Sequence, residues 1–206
     1  MFFLILYNNS YGDFMGNLIV ISGPSGVGKG TIIKEIKERY QDNDKNLYVS
    51  VSYTTRKIRE GERDGVDYHF VSIQEFENLI KNNGLLEYNE YGTGNYYGTP
   101  KDLVFNYLDN DYDVILEIDV NGYQKIKELN IPHESIFIAP PSYDVLENRL
   151  KRRNTESNEI IQKRLKAALN EINHMDIYDY VIYNKENELE QAVDDIMNIM
   201  NKKYSK

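Results

Sequence analysis

Short apolar runs alternate along the chain with segments in which apolar residues recur at helical spacing. The strand-like runs include LIVIS at 18–22, YDVILEI at 112–118 and SIFIA at 135–139, and helical segments run over 29–40 and around 161–172. Strands that alternate with helices in this way are typical of a parallel sheet covered by helices. The pattern therefore predicts an α/β fold.

Local signals predict further elements of this fold. Additional strand-like runs lie at 47–52, 68–71, 85–91 and 179–183, and a final helix is expected from about 188. Ser72 and Glu75 have the spacing of a capping box at the start of a helix. The stretch GTGNYYGTP at 92–100 predicts a turn, after which Thr99 would cap a helix that has Pro100 at its first position.

The composition limits the classes of function. The chain has 206 residues, a length that fits one domain. Its formal net charge of -9 disfavours a nucleic acid or an anionic membrane as partner. The absence of cysteine excludes a disulfide framework and a cysteine nucleophile. The apolar run at 1–6 is too short to span a membrane and lacks the preceding positive charge of a secretory signal, so we expect a cytoplasmic protein.

The stretch GPSGVGKGT follows the first strand-like run and opens the first helical segment. It matches the pattern G-x-x-x-x-G-K at Gly23, Gly28 and Lys29. Amides at a helix N-terminus point into such a turn, glycines let the backbone close around phosphates, and the lysine adds a positive charge. The motif predicts a binding site for a nucleoside triphosphate. Its residues are Gly23, Pro24, Ser25, Gly26, Val27, Gly28, Lys29, Gly30 and Thr31.

Gly30 lies where such loops usually carry the serine or threonine that binds magnesium. We therefore expect no direct protein ligand for the metal. Magnesium would be held by the nucleotide phosphates and by waters, with water bridges to Asp119 or Glu117, because this ion commonly retains several waters. Thr31 is expected to bond a phosphate rather than to replace the missing ligand.

The loop alone does not identify the phosphoryl acceptor. A regulatory GTPase would need a guanine-reading N-K-x-D, and NKEN at 184–187 lacks the final aspartate. An ATPase motor would need a catalytic glutamate after an apolar strand. Glu117 and Asp119 in VILEID are compatible with that role but are not specific for it.

Five further stretches carry a more specific resemblance. They are SVSYTTRKIREGERDGVDYHFV at 50–71, GNYYGT at 94–99, ILEIDVNG at 115–122, FIAPPS at 137–142 and RRNTES at 152–157. In this order they resemble guanylate kinases, the enzymes that transfer a phosphoryl group from ATP to GMP. The resemblance runs from about Gly16 to Lys203.

The resemblance implies a fold and its organisation. The expected architecture is a P-loop NTPase-type parallel sheet core flanked by helices, with an inserted GMP-binding subdomain at about 52–100 and a short mobile lid at about 150–164. These would lie in a domain over 16–206, after an N-terminal appendage over 1–15. The implied substrates are ATP with GMP, and also dGMP, the implied cofactor is magnesium, and the implied assembly is a monomer or weak dimer.

A second nucleotide pocket follows from the same resemblance. Arg56 and Arg59 stand on a loop, where guanidinium groups suit a monophosphate dianion. Glu87 lies on a strand-like run whose alternation puts Leu85 and Asn89 on the same face. Its carboxylate can accept N1–H and the 2-amino group of guanine, whereas adenine presents an acceptor at N1. The residues implied for GMP are Ser52, Arg56, Arg59, Tyr68, Glu87, Tyr97, Thr99, Glu117 and Asp119.

Phosphoryl transfer needs alignment and neutralised charge more than covalent help from the protein. The resemblance assigns this work to Lys29, Arg56, Arg149, Arg153 and Arg164, and it implies Asn184 near the base of ATP. We expect direct in-line transfer without a phosphoenzyme. Ser142 predicts an N-cap for the helix that would reach Arg153.

Two alternatives stay open beside this interpretation. Domains that resemble guanylate kinases also occur as scaffolds that bind partner peptides, but those typically lose the loop and lid charges that Lys29, Arg153 and Arg164 retain here. A kinase for another monophosphate such as AMP is disfavoured by Glu87. One departure from the family pattern is Glu117, where an aspartate is usual.

Overall fold

The structure is a computed structural model that describes residues 14–43, 45–91, 94–152 and 158–202. Within these ranges the strands are β1 (Leu18–Ser22), β2 (Leu47–Val49), β3 (Tyr53–Thr54), β4 (His69–Phe70), β5 (Leu85–Tyr91), β6 (Asn95–Pro100), β7 (Asp113–Glu117), β8 (Glu134–Ala139) and β9 (Tyr180–Tyr183). The α-helices are α1 (Lys29–Asp42), α2 (Ile73–Lys81), α3 (Lys101–Asp109), α4 (Val120–Glu128), α5 (Tyr143–Arg152), α6 (Asn158–Ile172) and α7 (Leu189–Met200).

Five parallel strands form the main sheet, in the order β2-β7-β1-β8-β9. The central strand β1 is buried on both faces. Leu18 and Val20 belong to one apolar cluster with α3 and α4, and Ile19 and Ile21 belong to another with α1 and α7. A continuous apolar run is the sequence of a strand covered on both faces. The α/β fold with a parallel sheet flanked by helices is therefore confirmed.

A second sheet of four strands has the order β4-β3-β6-β5. Strand β6 pairs antiparallel with both β3 and β5. The turn expected over 92–100 is thus wrong for Asn95–Pro100, which is a strand, while residues 92 and 93 lie outside the described residues. Gly98 lies in it where a Cβ atom would approach the Glu87 carbonyl oxygen and the Phe76 ring at 3.0 Å. The glycine that indicated a turn instead allows close packing.

Other local expectations had mixed outcomes. The capping box of α2 is confirmed, since the Glu75 N–H donates to Ser72 Oγ at 3.2 Å and the Ser72 N–H donates to Glu75 Oε2 at 2.7 Å. Helix α3 begins at Lys101 with Pro100 at its N-cap, so the expected Thr99 cap is wrong. The Thr99 hydroxyl donates to Glu87 instead.

Strand β5 also departs from its expected alternation. The pairing register with β6 shifts between Leu85 and Glu87, and both Leu86 and Glu87 are buried. An irregularity of this kind re-aims a side chain. Here Glu87 faces inward beside an apolar neighbour.

Helix α4 was not anticipated, although Val120, Tyr123 and Ile126 form its buried stripe. Asp119 caps this helix by accepting the Gly122 N–H at 2.8 Å. The helix packs against β5 and β1. It therefore connects the main sheet with the strand that carries Glu87.

Helices α5 and α6 share a small apolar core of Leu146, Leu150, Ile161, Leu165 and Ala168. The predicted cap at Ser142 is confirmed, because its Oγ accepts the Val145 N–H at 3.3 Å. Arg153 lies outside the described residues. None of the helices in the described ranges is long and apolar enough to cross a membrane.

Candidate active site

One cleft of about 1270 Å³ runs between the carboxyl ends of the main-sheet strands and the second sheet. In open α/β sheets this edge is where ligands bind. The cleft is lined on one side by Gly23 and Lys29 and on the other by Tyr68 and Glu87, and Asp119 also lines it. Predicted residues for two different nucleotides therefore share one space.

The phosphate loop joins β1 to α1 in a conformation that requires glycine. Gly23 has φ 144° and Gly28 has φ 104°, both in the left-handed region. A Cβ atom would lie 2.3 Å from the Ile138 carbonyl oxygen at Gly23 and 2.5 Å from Asn184 Nδ2 at Gly28. Lys29 Nζ folds back and donates to the Gly23 carbonyl at 2.6 Å.

Three predicted residues outside this loop contact it. Arg149 of α5 donates to the Val27 carbonyl at 3.1 Å and to the Asn184 carbonyl at 2.9 Å. The buried Asn184 side chain donates to the same Val27 carbonyl at 2.8 Å. Arg164 of α6 reaches Ser25 Oγ at 3.5 Å. Arg149 and Arg164 thus both contact the loop.

Gly30 and Thr31 are exposed at the start of α1. A Cβ atom at Gly30 would meet no atom within 4 Å. Both residues line the cleft. The place of the missing hydroxyl is therefore open to a ligand or to water.

Glu87 is a buried carboxylate on the opposite wall, with 7% of its surface exposed. Oε1 accepts the Thr99 hydroxyl at 2.7 Å, and Oε2 accepts the Asn89 amide at 3.3 Å. Burial raises the pKa of Glu87 to about 7. The Thr99 hydrogen bond and the charge of Lys125 act in the opposite direction, while Asp119 adds to the increase.

The residues predicted for the GMP phosphate lie around one loop. Arg56 donates to Glu62 through two hydrogen bonds of 2.7 and 3.0 Å. Its guanidinium carbon lies 5.4 Å from the ring centroid of Tyr68, which is 5.8 Å from that of Tyr97. Arg59 has an exposed side chain, and its N–H donates to Glu62 Oε2 at 2.8 Å.

Ser52, Tyr68 and Tyr97 line the cleft. The Arg56 hydrogen bond lowers the pKa of Glu62, which keeps this carboxylate ionised. Sequence reasoning missed Glu62, although it follows Arg59 by only three positions. Its role in the structure is to fix the guanidinium plane of Arg56 against the tyrosines.

Three carboxylates lie near Lys29. Glu117 Oε1 is 3.9 Å from Lys29 Nζ, with 42% of the glutamate side chain exposed. Burial raises the pKa of Asp119. Burial also raises the pKa of Glu171, on α6, to about 7, although the charge of Lys29 opposes this increase. Glu171 was missed in the sequence, but it follows Arg164 by seven positions and so lies on the same helix face.

A buried strand, a loop with left-handed glycines and a lysine that opens a helix define a P-loop nucleotide-binding protein. The second wall of the cleft carries Glu87 in a separate sheet. The protein therefore belongs to those P-loop proteins that have a further candidate site beside the loop.

Comparisons with known proteins identify the family. A model described as guanylate kinase matches residues 15–203. The guanylate kinase of Carboxydothermus hydrogenoformans is 49% identical over 181 residues, covering 88% of this chain and 85% of that protein. The guanylate kinase of Oceanobacillus iheyensis is 48% identical over 192 residues, covering 93% and 89%.

The fold comparison agrees. A crystal structure of guanylate kinase from Anaplasma phagocytophilum matches with a TM-score of 0.71 at 35% identity, covering 91% of this chain and 86% of that one. The chain belongs to the guanylate kinase family. The family and enzyme class predicted from the sequence are therefore confirmed.

Proposed function

We propose that this cleft phosphorylates GMP to GDP with ATP as donor. The observation that carries the proposal is the pairing of two unlike recognition sites in one cleft. A backbone loop with Lys29 suits phosphates, and the buried Glu87 suits a purine that presents two adjacent donors. Facing walls in one cleft bring donor and acceptor within reach of each other.

On the ATP side, the loop residues supply backbone amides and Lys29 supplies a charge for the outer phosphates. Arg149 and Asn184 hold the Val27 carbonyl, so their proposed contribution includes fixing the loop. The expected contact of Asn184 with the ATP base stays a prediction. Among the loop residues, Pro24 and Val27 are buried, as is Gly23.

On the GMP side, Glu87 accepts N1–H and the 2-amino group of guanine, and Ser52 and Thr99 supply hydroxyls beside it. Thr99 also orients Glu87 through its 2.7 Å hydrogen bond. Glu87 contacts only the guanine base, which GMP and dGMP share, so we expect dGMP to be a substrate as well. The GMP phosphate is assigned to Arg56, Arg59, Tyr68 and Tyr97, where Arg56 is preorganised by Glu62.

The transfer step requires no covalent help from the protein. A GMP phosphate oxygen attacks the γ-phosphorus of ATP in line, the bond to the β-phosphate oxygen breaks, and ADP leaves. Lys29, Arg149 and Arg164 contact the loop, and we assign to them the neutralisation of the charge that spreads over the transferred group. Arg153 is proposed to join them on the basis of its sequence motif.

Magnesium is proposed to enter with ATP. Within the described residues there is no cluster of three or more His, Asp or Glu that could hold a metal. The carboxylates of Glu117 and Asp119 line the cleft and can accept hydrogen bonds from metal-bound waters. When bound, the ion would neutralise phosphate charge, with its ligands coming from the nucleotide and from water.

The remaining expectations are part of the same proposal. They are a domain over 16–206 with a GMP-binding insertion and a lid, a cytoplasmic location, no nucleic-acid or membrane partner, and a monomer or weak dimer. The net charge of -9 supports the exclusion of anionic partners.

An acceptor panel tests the function. ATP consumption is measured with GMP, dGMP, AMP and UMP, for the parent protein and for Glu87→Gln. We expect Glu87→Gln to raise the KM for GMP about 10- to 100-fold, because an unpaired buried donor costs about 1–3 kcal/mol, and to leave the KM for ATP unchanged. Glu90→Gln, an exposed glutamate of the same strand, is the matched control.

Equal losses for ATP and GMP would contradict the role of Glu87. Turnover with AMP alone would refute the substrate assignment. Absence of turnover with all four acceptors would favour a peptide-binding scaffold. A phosphorylated side chain trapped during turnover would exclude direct transfer.

A further inference from the structure

Helix α4 supports Glu87 through an intermediate side chain. Lys125 Nζ donates to Asn89 Oδ1 at 2.8 Å and also to the Tyr88 carbonyl oxygen, and it lies 5.0 Å from the Tyr88 ring centroid. Asn89 Nδ2 donates to Glu87 Oε2 at 3.3 Å. A relay of two hydrogen bonds therefore runs from Lys125 through Asn89 to the carboxylate.

The chemistry of the three groups permits only one direction for this relay. An ammonium group only donates, and an ionised carboxylate only accepts. An amide offers one accepting end and one donating end, so Asn89 satisfies both neighbours only with its oxygen toward Lys125 and its nitrogen toward Glu87. Lys125 thereby fixes the amide orientation that Glu87 requires.

Gly122 brings the backbone of α4 against the same carboxylate. This glycine lies in the first turn of the helix, although glycine is a weaker helix former than alanine. An added Cβ atom would lie 3.0 Å from Glu87 Oε2 and 3.2 Å from its carboxyl carbon. The absence of a side chain here leaves room for the glutamate.

We propose that Asn89, Lys125 and Gly122 are positioning residues that set purine specificity by holding Glu87 in place as an ionised acceptor. This inference rests on the proposed recognition of guanine by Glu87. It adds a reason why the ionised form of this buried carboxyl group is populated at neutral pH.

Protonation of Glu87 would reverse its preference. A carboxylic acid presents a donor beside an acceptor. That pair is the complement of adenine, which offers an acceptor at N1 beside the donating 6-amino group. The ionised form thus selects guanine, and the protonated form fits adenine. Keeping Glu87 ionised is therefore part of discrimination, not only of affinity.

The groups that control this ionisation come from the elements packed around β5. Burial raises the pKa of Glu87 to about 7, and Asp119, before α4, raises it further. Lys125, on α4, and the Thr99 hydroxyl, on β6, lower it. Helix α3 contributes Val104 and Phe105 to the apolar cluster that contains Leu86. Lys125 is the positively charged group among those that shift the pKa of Glu87.

The test measures kcat/KM for GMP and for AMP, and KM for ATP, between about pH 6 and pH 8.5. We expect Lys125→Met to raise the KM for GMP about three- to ten-fold near pH 6.5, since one pKa unit is a tenfold change in ionisation. The ratio of GMP to AMP efficiency should fall with it. Both effects should disappear near pH 8.5 if ionisation is the cause.

Matched variants separate charge, orientation and space. Lys127→Met is the control, because this lysine of the same helix donates to the Ile177 carbonyl instead. Lys125→Arg should retain selectivity. Asn89→Ala removes a hydrogen bond to Glu87 but leaves the Lys125 charge, so it should raise the KM for GMP with less pH dependence than Lys125→Met. Gly122→Ala should raise the KM for GMP by about tenfold at every pH because its effect is steric. Adding Glu87→Asp, which is one methylene shorter, should relieve part of the Gly122→Ala effect.

The results also distinguish this inference from the proposed function. If Glu87→Gln leaves the KM for GMP unchanged, recognition by Glu87 is wrong and the inference fails with it. If Glu87→Gln weakens GMP use while Lys125→Met behaves like Lys127→Met at every pH, only the inference is wrong. A pH-independent loss in Lys125→Met would also overturn it, because a merely structural role has that outcome.

Discussion

The phosphate loop and the strand pair β5–β6 line one cleft, but they are built from different kinds of group. The loop is made of consecutive residues, and its shape depends on Gly23 and Gly28. The Glu87 site uses side chains from separate segments, with Thr99 on β6 and Lys125 on α4. One site is local in the chain, and the other exists only after the two sheets and α4 have packed together.

The two regions also differ in the cost of their charges. Lys29 lines the cleft with 16% of its side chain exposed, and it donates to the Gly23 carbonyl. Glu87 is buried, and its ionisation is opposed by desolvation. The proposed phosphate site relies on backbone groups and one lysine, whereas the proposed guanine site requires a buried carboxylate whose ionised form is destabilising.

The largest expected effect tests how strictly the loop depends on glycine. Gly28→Ala places a Cβ atom 2.5 Å from Asn184 Nδ2 and forces a non-glycine residue to φ 104°. We expect kcat/KM for ATP to fall about 100-fold, since a displacement of about 1 Å in a reacting group has that effect. Steady-state kinetics with saturating GMP measure this loss.

Gly61→Ala isolates the backbone contribution. Gly61 has φ +85°, but an added Cβ atom would meet nothing within 4 Å. Strain at such a position costs about 1–3 kcal/mol. The free energy of unfolding of Gly28→Ala should therefore fall by more than that of Gly61→Ala. Equal losses would indicate that Asn184 moves away freely and that the loop is less constrained than its contacts imply.

The difference between a site made of neighbouring residues and a site made of distant residues also explains what could be predicted from the sequence alone. The central strands and the loop were predictable because apolar runs and glycine spacing report on neighbouring residues. Strand β6 was misread as a turn because NYYGTP lacks an apolar alternation, and its glycine serves packing across the sheet. Thr99 was predicted to be a helix cap because the local sequence does not show its real partner, Glu87, which is twelve positions away.

The support of Glu87 was the least predictable part of the site. Asn89 was placed on the same face as Glu87, but its link to Lys125 spans 36 positions. Helix α4 has only nine residues with a glycine in its first turn, so its apolar stripe gave a weak signal. Residue pairs that meet only through tertiary packing leave no periodicity in the sequence.

The buried carboxylate of Glu87 should lower the free energy of unfolding when it is ionised. Its pKa lies near 4.5 when unfolded and about 7 in the folded protein. Between pH 4.5 and pH 7 the folded protein keeps the Glu87 proton that the unfolded chain releases. The contribution of protonated Glu87 to the free energy of unfolding is therefore fully present below pH 4.5 and is lost as the pH rises through about 7. Above that range a buried anion remains.

Glu87→Gln should therefore be more stable than the parent protein at alkaline pH. We expect a gain of about 2–3 kcal/mol in the free energy of unfolding near pH 8, which disappears below about pH 5. Urea denaturation at several pH values measures it. The exposed control Glu90→Gln should show no such gain, and a pH-independent difference would contradict the assigned origin.

The smallest expected effect is at the loop position that lacks a hydroxyl. Gly30→Ser adds atoms in open space in the first turn of α1, and serine has a higher helix propensity than glycine, so the free energy of unfolding should rise by roughly 0.5 kcal/mol. Gly30→Ala gives a similar gain without a hydroxyl. If magnesium is held by nucleotide phosphates and waters, both variants should retain the parent's half-saturating magnesium concentration. A sharp gain in Gly30→Ser alone would show that a side-chain ligand matters, and that this loop does not act through backbone groups and Lys29 alone.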